Sequence, residues 1–448
     1  MEEGLDGVEG LLGPKINCFS KHKITIIVSF VIILLIVATI ILILVLTRKS
    51  DDEKNSFDIL KNDADFIKPN IKLNAEFKLV KTKNGMIGLL IYDKYTKYSH
   101  INLNIPNGSY TETVPGLAHF GEHMVAGGSE KYPNIYPVYN PVIGGVNGAV
   151  DNAYTSGNLQ VYYMTVPYNF LLEETMDFLM DSFRYPLYSE EVVKKEIQAV
   201  NAEFYLRINQ MGRIFLYLLQ DLASDRTSFN GMTCGNNETL RPNESESLSK
   251  KLKGYHMLIK RPDNIFFTLY SNTTMDKLDK YTEKYFSYTM HQYKDDEIDV
   301  EDKQKLIENA ENIGKMDIFD EKLYNHGIYY NSNSKLNMLY IIFNIGKIDY
   351  QKIEFDIMEY FIYLFHSKSL NNILLEKNYI IDYDAQHFIE LENNNLAAVI
   401  ISLTDLGVEN IAEILLIIYK YIEIIKKKMD MKKIYLIILL NTRKANKY

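Results

Sequence analysis

A long apolar run near the start of the chain limits most strongly how this sequence can fold. Residues 24–46 contain no charged side chain, and basic residues flank the run on both sides. A helix of this length crosses a hydrocarbon core of about 30 Å, and the run is too long for the apolar part of a cleaved signal peptide. We therefore expect an uncleaved, single-pass transmembrane helix followed by a folded body.

The charges beside this run do not decide its orientation, because nearly equal numbers of lysine and arginine lie on each side. A short N-terminal tail before a large body is typical of a signal anchor with the tail in the cytosol. The body would then be lumenal or extracellular. Glycosylation would be permitted there at four sequons: Asn107, Asn237, Asn243 and Asn272.

Composition predicts an ordinary globular body. The 448 residues are enough for two or three domains, and 47% apolar and 24% charged side chains argue against disorder. The net charge of −9 and the lack of a basic stripe argue against a nucleic-acid partner. Cys18 and Cys234 lie on opposite sides of the apolar run, so they cannot pair within one membrane-spanning chain. Two thiols are also too few for a cysteine-based zinc site.

The segment His119-Phe120-Gly121-Glu122-His123 carries the chemistry. Two histidines four residues apart share a face of a helix, and Glu122 falls on the same side. One helix can thus offer two imidazoles to a metal and a carboxylate for proton transfer, which is the H-x-x-E-H pattern. The alternative is two partly buried histidines and a solvated charge. Zinc also requires a third protein ligand and an open position.

Alternation and periodicity place this segment among strands and helices. Strands are predicted at residues 86–92, 100–105 and 160–166, and a helix at residues 168–183. The histidine helix is expected to start near Pro115 and to end at Gly127 and Gly128.

A long helix from Ser189 to about Leu219 supplies candidates for the third ligand. Glu196 and Glu203 are seven residues apart and share one face beside its apolar stripe. A carboxylate in that position could complete a His-His-Glu site. Because neighbouring glutamates are also present, spacing alone leaves open that both are solvated charges.

Four segments in this order resemble the insulin-degrading enzyme/pitrilysin family of zinc metallopeptidases: residues 116–133, 152–157, 196–203 and 239–243. The resemblance covers roughly residues 71–425. It implies that His119, His123 and Glu203 bind Zn²⁺ and that Glu122 activates the water for peptide hydrolysis. It also implies that Glu196 orients a ligand histidine.

For the substrate, the resemblance implies a strand edge at Asn152 and Ala153 to which a peptide adds by main-chain hydrogen bonds. Tyr154 would form a wall beside it.

The expected fold is α+β: two similar domains, each with a mixed, mostly antiparallel sheet flanked by helices, preceded by a single transmembrane helix. The predicted boundaries are a tail at 1–23, the membrane anchor at 24–46, a linker at 47–70, the zinc peptidase domain at 71–290 and a second, incomplete peptidase-family domain at 306–448. The polar, acidic stretch 293–305 is interpreted as the link between the domains.

Within the second domain we expect strands at 338–343 and 397–403 and helices at 350–365 and 408–429. Charged residues interrupt the apolar stretch 411–425, which favours a core helix over a second membrane span.

The sequence departs from the family in three ways. Gly121 replaces a larger apolar residue, and glycine inside a helix costs about 1 kcal/mol relative to alanine. A glycine-rich anchor for substrate N-termini is not recognisable around residues 366–370. The noncatalytic second half of insulin-degrading relatives does not follow in this chain.

Two functions therefore remain open. One is a membrane-anchored zinc metalloendopeptidase for peptides or unfolded segments, completed by a separate chain that resembles the missing half or by a second copy. The other is a noncatalytic, membrane-tethered peptide-binding or scaffold subunit of a larger peptidase assembly.

Overall fold

The computed structural model describes residues 58–66, 74–133, 149–167, 172–224, 227–312, 315, 317–324, 326–330, 336–344, 346, 368–390, 394–429 and 435–441. The predicted membrane anchor at 24–46 and the predicted helix at 350–365 lie outside these residues. Across the parts of the chain that are described, none of the helices combines the length and apolarity needed to cross a membrane.

The first sheet has seven described strands, in the order β1-β2-β3-β7-β4-β6-β5. Their bounds are β1 Asp58–Lys61, β2 Ala75–Lys81, β3 Ile87–Asp93, β4 Tyr98–Ile105, β5 Val150–Thr155, β6 Gln160–Pro167 and β7 Phe266–Ser271. Neighbouring strands are antiparallel except β3 and β7, which are parallel. Alternation along β4 buries Ile101, Leu103 and Ile105 completely, so this central strand anchors the core.

Eight helices of the described residues lie in the same part of the chain as this sheet. They are α1 Leu117–His123, α2 Leu172–Arg184, α3 Glu190–Arg207, α4 Met211–Leu222, α5 Asn237–Leu240, α6 Ser245–Ile259, α7 Met275–Tyr281 and α8 Val300–Asn312. The apolar faces of α1, α2, α3 and α6 share one core with β4 and β6. Phe120 of α1 and Leu252 of α6 are part of it, so the histidine helix is packed into the centre of the domain.

The single helix predicted from Ser189 to about Leu219 is wrong in its second half. The chain leaves helical conformation at Gln210 and divides into α3 and α4. The two helices pack in different cores, because the stripe of α3 joins the first sheet whereas Phe215 and Leu219 of α4 pack with residues of the second sheet.

The interpretation of residues 293–305 as a link is also wrong for its structure. Tyr293 is buried and its hydroxyl donates to the Pro186 carbonyl at 2.6 Å. Residues from Val300 onward form α8, which is held on α6 by a 2.7 Å ion pair between Lys251 and Asp302. Glu301 and Asp302 of this stretch therefore belong to a helix that packs on the first core.

The second sheet contains five described strands in the order β10-β11-β9-β12-β8, of which β12 and β8 are parallel and the other neighbours antiparallel. The strands are β8 His326–Tyr330, β9 Asn337–Asn344, β10 Ile380–Glu390, β11 Asn395–Leu403 and β12 Tyr435–Asn441, and the helices are α9 Lys368–Glu376, α10 Asp405–Glu409 and α11 Ile411–Met429. Ile414, Ile418 and Ile422 of α11 are buried against this sheet. The prediction of a core helix is thus confirmed.

Both sheets are mixed and mostly antiparallel, with helices packed on them, which confirms the α+β prediction. Between α4 and the second sheet, the rings of Phe215 and Tyr340 stack with centroids 4.2 Å apart. The predicted domain boundaries at 71–290 and 306–448 stay predictions.

Candidate metal centre

A close approach of two glycines fixes the start of α1. Gly116 has a φ of 91°, and a Cβ on it would lie 2.2 Å from the Cα of Gly235, so a side chain cannot be accommodated. This contact brings the carbonyl of Cys234 beside His119, whose Nδ1 donates to it at 2.7 Å. Because a carbonyl oxygen only accepts, His119 carries its proton on Nδ1 and leaves the lone pair of Nε2 for a metal.

Helix α1 separates its apolar and chemical residues by face. Leu117, Ala118 and Phe120 are completely buried in the core. Glu122 and His123 are partly exposed. The spacing of the sequence thus turns the second histidine and the acid toward the open side of the helix.

Glu196 of α3 holds the second histidine. Its Oε1 accepts from Nδ1 of His123 at 2.8 Å. This hydrogen bond assigns the proton of His123 to Nδ1 and again leaves Nε2 for a metal. The contact is the one that the resemblance predicts for Glu196.

Glu203, two turns further along α3, faces both imidazoles. Its two carboxylate oxygens lie 3.5 Å from Nε2 of His119 and 3.3 Å from Nε2 of His123. One donor atom from each of the three residues lies within 4.8 Å of the others. Arg207, one turn on, donates to Oε1 of Glu203 at 2.8 Å. The structure therefore brings together the three predicted ligands from two helices.

The electrostatics of this cluster favour a bound cation. Burial acts to lower the pKa of His119, but hydrogen bonds to Cys234 and Glu203 outweigh it and raise the pKa to about 10. Burial also opposes protonation of His123, whose hydrogen bonds to Glu196 and Glu203 raise its pKa to about 9. Hydrogen bonds from the two histidines hold the pKa of Glu203 well below its usual range. The site thus stabilises positive charge between its ligand atoms.

Glu122 directly precedes the ligand His123 on α1 and is held by a strand of the first sheet. Thr155, the last residue of β5, donates its hydroxyl to Oε2 of Glu122 at 2.5 Å. The carboxylate therefore stays outside the ligand cluster with a fixed orientation, which suits a proton acceptor and donor better than a metal ligand.

The predicted substrate residues lie on β5, which is at the end of the first sheet among the described strands. Asn152 and Tyr154 are exposed, and Ala153 between them packs toward the core. The amide oxygen of Asn152 accepts from the backbone N–H of Ala153 at 2.9 Å. These positions are compatible with the predicted peptide edge, whose role stays a prediction.

Sequence reasoning missed two residues that donate hydrogen bonds to α1, Thr155 and Lys260. Thr155 lies in the segment 152–157 that resembles the family, so the resemblance could have pointed to it. Lys260 follows the apolar end of α6 and donates its Nζ to the carbonyl of Gly121 at 3.0 Å. Nothing in the local sequence points to that contact, because the two residues are 139 positions apart.

Comparisons with known proteins cover the segment that contains this site. The family profile "Insulinase (Peptidase family M16)" matches residues 89–223, a range that includes His119, Glu122, His123, Glu196 and Glu203. A second profile, "Peptidase M16 inactive domain", matches residues 248–438. The chain belongs to the insulinase family of peptidases. Peptidases of this family are zinc metalloproteases.

Several members of the insulinase family are similar over most of this chain. An insulin-degrading enzyme homolog of Dictyostelium discoideum is 27% identical over 78% of this chain and 35% of its own length. The A-factor-processing enzyme of Saccharomyces cerevisiae is 25% identical over 83% of this chain and 35% of its own length. The crystal structure of pitrilysin superposes with a TM-score of 0.70 at 23% identity, over 82% of this chain and 38% of pitrilysin. The chain thus spans about a third of the length of these relatives.

Proposed function

We propose that this insulinase-family chain is a zinc-dependent metalloendopeptidase that hydrolyses peptide bonds in peptides or unfolded segments. The observation that carries the proposal is the convergence of His119, His123 and Glu203 within 4.8 Å, with Glu122 beside them and oriented by Thr155.

The ligand set fits zinc by its chemistry. Two neutral imidazoles and one carboxylate are a donor set of catalytic zinc sites, which keep a further position open. Both histidines engage Nδ1 in hydrogen bonds to oxygen and direct Nε2 toward Glu203. When bound, zinc would act as a Lewis acid on the scissile carbonyl and would increase the acidity of the attacking water.

The protein residues then have separate roles: one transfers protons and the others hold groups in position. Glu122 takes a proton from the attacking water at its carboxylate and later delivers it to the leaving amide nitrogen. The Thr155 hydroxyl holds that carboxylate in place through the 2.5 Å hydrogen bond. Glu196 fixes the ring plane of His123 throughout. Peptide would align along β5, where Asn152 and Tyr154 are exposed.

A second function is favoured by the profile that matches residues 248–438, which describes an inactive peptidase domain. This match supports a noncatalytic subunit that binds peptides or scaffolds a larger peptidase, tethered to a membrane by residues 24–46. In the catalytic proposal, the active form includes a separate chain resembling the other half of the relatives, or a second copy.

We also propose that residues 24–46 anchor the chain in a membrane with the body lumenal or extracellular. The structure of the body limits which of the four sequons can carry a glycan and so indicate the orientation. Asn107 is buried and accepts from Thr111, and the amide of Asn272 donates to the Thr96 carbonyl at 3.2 Å. Asn237 and Asn243 are exposed. Glycosidase treatment of the native protein should therefore change its mobility through these two sites, and an unchanged mobility would remove this support for the orientation.

The catalytic proposal is tested with the full-length chain in detergent. The parent protein should contain one zinc per chain and cleave a quenched fluorescent peptide, with loss on chelation and recovery on adding zinc. Glu122→Gln should retain the zinc and lose cleavage. A zinc-loaded Glu122→Gln protein that still cleaves would refute the assigned role of Glu122. Stoichiometric zinc and tight peptide binding without turnover in the parent would favour the noncatalytic subunit.

A further inference from the structure

The short helix α1 bears three of the four residues of the proposed active site, yet it has little intrinsic stability. It contains seven residues, one of which is Gly121. Isolated helices of this length do not persist in water, and an internal glycine costs about 1 kcal/mol relative to alanine. The orientation of His119, Glu122 and His123 must therefore be imposed from outside the helix.

A carboxylate holds the N-terminal end. Oε1 of Glu112 accepts from the backbone N–H of Gly116 at 2.7 Å, and Oε2 accepts from that of Ala118 at 2.8 Å. Backbone N–H groups in the first turn have no partner within a helix, and negative charge is favourable there. Asn309 of α8 fixes the segment that presents Glu112, since its amide donates to the carbonyls of Thr111 and Glu112, each at 3.2 Å.

An ammonium group holds the other half of the helix. Nζ of Lys260 donates to the carbonyl of Gly121 at 3.0 Å, between the two histidines in sequence. The lysine is buried, and the rings of Tyr162 and Phe183 lie 5.1 and 5.3 Å from its Nζ. Positive charge is favourable near helix carbonyls at the C-terminal end, so the ammonium suits this half of α1. Burial raises the pKa of Glu112 to about 8, so the hold on the N-terminal end rests on its two hydrogen bonds.

A contribution to the stability of the fold does not explain why a lysine is buried at position 260. Burial lowers its pKa to about 7, which reflects the cost of keeping an ammonium in the core. A methionine of similar length would fill the same volume without that cost. What methionine cannot do is donate a hydrogen bond to the Gly121 carbonyl.

We propose that Glu112 and Lys260 are positioning residues that clamp α1 at both ends and thereby fix the backbone from which His119, Glu122 and His123 project. The consequence for catalysis rests on the proposed function, whereas the consequence for zinc affinity does not. Errors of about 1 Å in the placement of reacting groups cost about 100-fold in rate, so a clamp on this helix acts on the chemistry without touching the substrate.

The test compares Lys260→Met and Glu112→Gln with the matched controls Lys253→Met, on the helix α6 that Lys260 follows, and Glu246→Gln, an exposed glutamate. All are full-length proteins in detergent. Three quantities are measured: amide hydrogen exchange of residues 116–123 in the metal-free protein, zinc affinity by competition with a chelator, and melting temperature.

For Lys260→Met we expect an unchanged or higher melting temperature, at least tenfold faster exchange in α1 and at least tenfold weaker zinc binding. Glu112→Gln should accelerate exchange chiefly at the N–H groups of Gly116 and Ala118. The controls should match the parent. Lys260→Gln, which retains a neutral donor, should fall between parent and Lys260→Met, and it serves if the methionine variant does not fold.

Unchanged exchange and unchanged zinc affinity in folded Lys260→Met and Glu112→Gln would overturn the clamp, even if the parent cleaves peptide. Conversely, a parent that binds zinc without cleaving peptide would refute the proposed function, while the exchange and affinity measurements would still decide the clamp.

Discussion

Replacing Gly121 by alanine tests the packing around α1, because the structure predicts whether the substitution raises or lowers the stability of the protein. A Cβ at this position would lie 3.6 Å from Leu252 and 3.8 Å from Tyr255, which is ordinary van der Waals contact. The substitution removes a helix penalty of about 1 kcal/mol and buries a methyl group for about a further 0.8 kcal/mol. We expect stabilisation of about 1–2 kcal/mol, or about 2–6 °C in melting temperature.

The assay is thermal unfolding of the full-length protein followed by far-ultraviolet circular dichroism, with and without zinc. Because the ligands do not move, zinc affinity should change by less than about threefold, which corresponds to less than about 0.7 kcal/mol. Gly254→Ala is the matched control, since it is a buried glycine inside α6 whose Cβ would lie 3.7 Å from Lys303. It should stabilise by a similar amount.

Gly88→Ala should change the stability in the opposite direction. Its Cβ would lie 2.0 Å from the ring of Phe267, so a shift of core atoms is required and we expect destabilisation by about 1–3 kcal/mol. If Gly121→Ala lowered the melting temperature, or weakened zinc binding tenfold, the packing described around α1 would be incorrect.

Three further outcomes follow from the site. Glu196→Gln should keep His123 in place but weaken zinc binding about 10- to 100-fold in a chelator competition; unchanged affinity would contradict its role. Thr155→Val should lower kcat about tenfold at constant zinc content, and a change confined to KM would argue against the hydrogen bond to Glu122. For pH, the folded pKa values of His119 and His123 are raised to about 10 and 9. Their contribution to the stability of the metal-free protein is therefore complete below about pH 6.5 and is lost as pH rises through 9 to 10. The melting temperature of the chelated protein should fall over that window while apparent zinc affinity rises, and a flat profile would refute this.

The part of the site that is local in sequence could be predicted. The spacing of His119, Glu122 and His123 requires only a helix, and α1 provides it. Spacing could not choose between Glu196 and Glu203, because both share the face of α3 with other charges; the family resemblance chose, and the contacts agree with that choice. Glu196 contacts Nδ1 of His123, whereas Glu203 faces the free Nε2 atoms of both histidines.

The errors arose where the surroundings of a segment decided its structure. Periodicity continued through residues 208–210 and concealed the break before α4, which turns to a different core. Acidic composition suggested a link at 293–305, although Lys251 of another helix neutralises Asp302 and allows α8 to pack. The contact between Lys260 and Gly121 joins residues that are distant in the chain, and no local pattern encodes it.

The division of the ligands between α1 and α3 has a consequence for biogenesis. His123 and Glu203 come together only after the intervening chain has formed β5, β6 and α2 and has packed α3 against α1. A metal ion with three protein ligands can therefore be captured only once α3 has packed against α1. Zinc uptake would then report that a newly made chain has made this contact, and a chain arrested before α3 would not retain the metal.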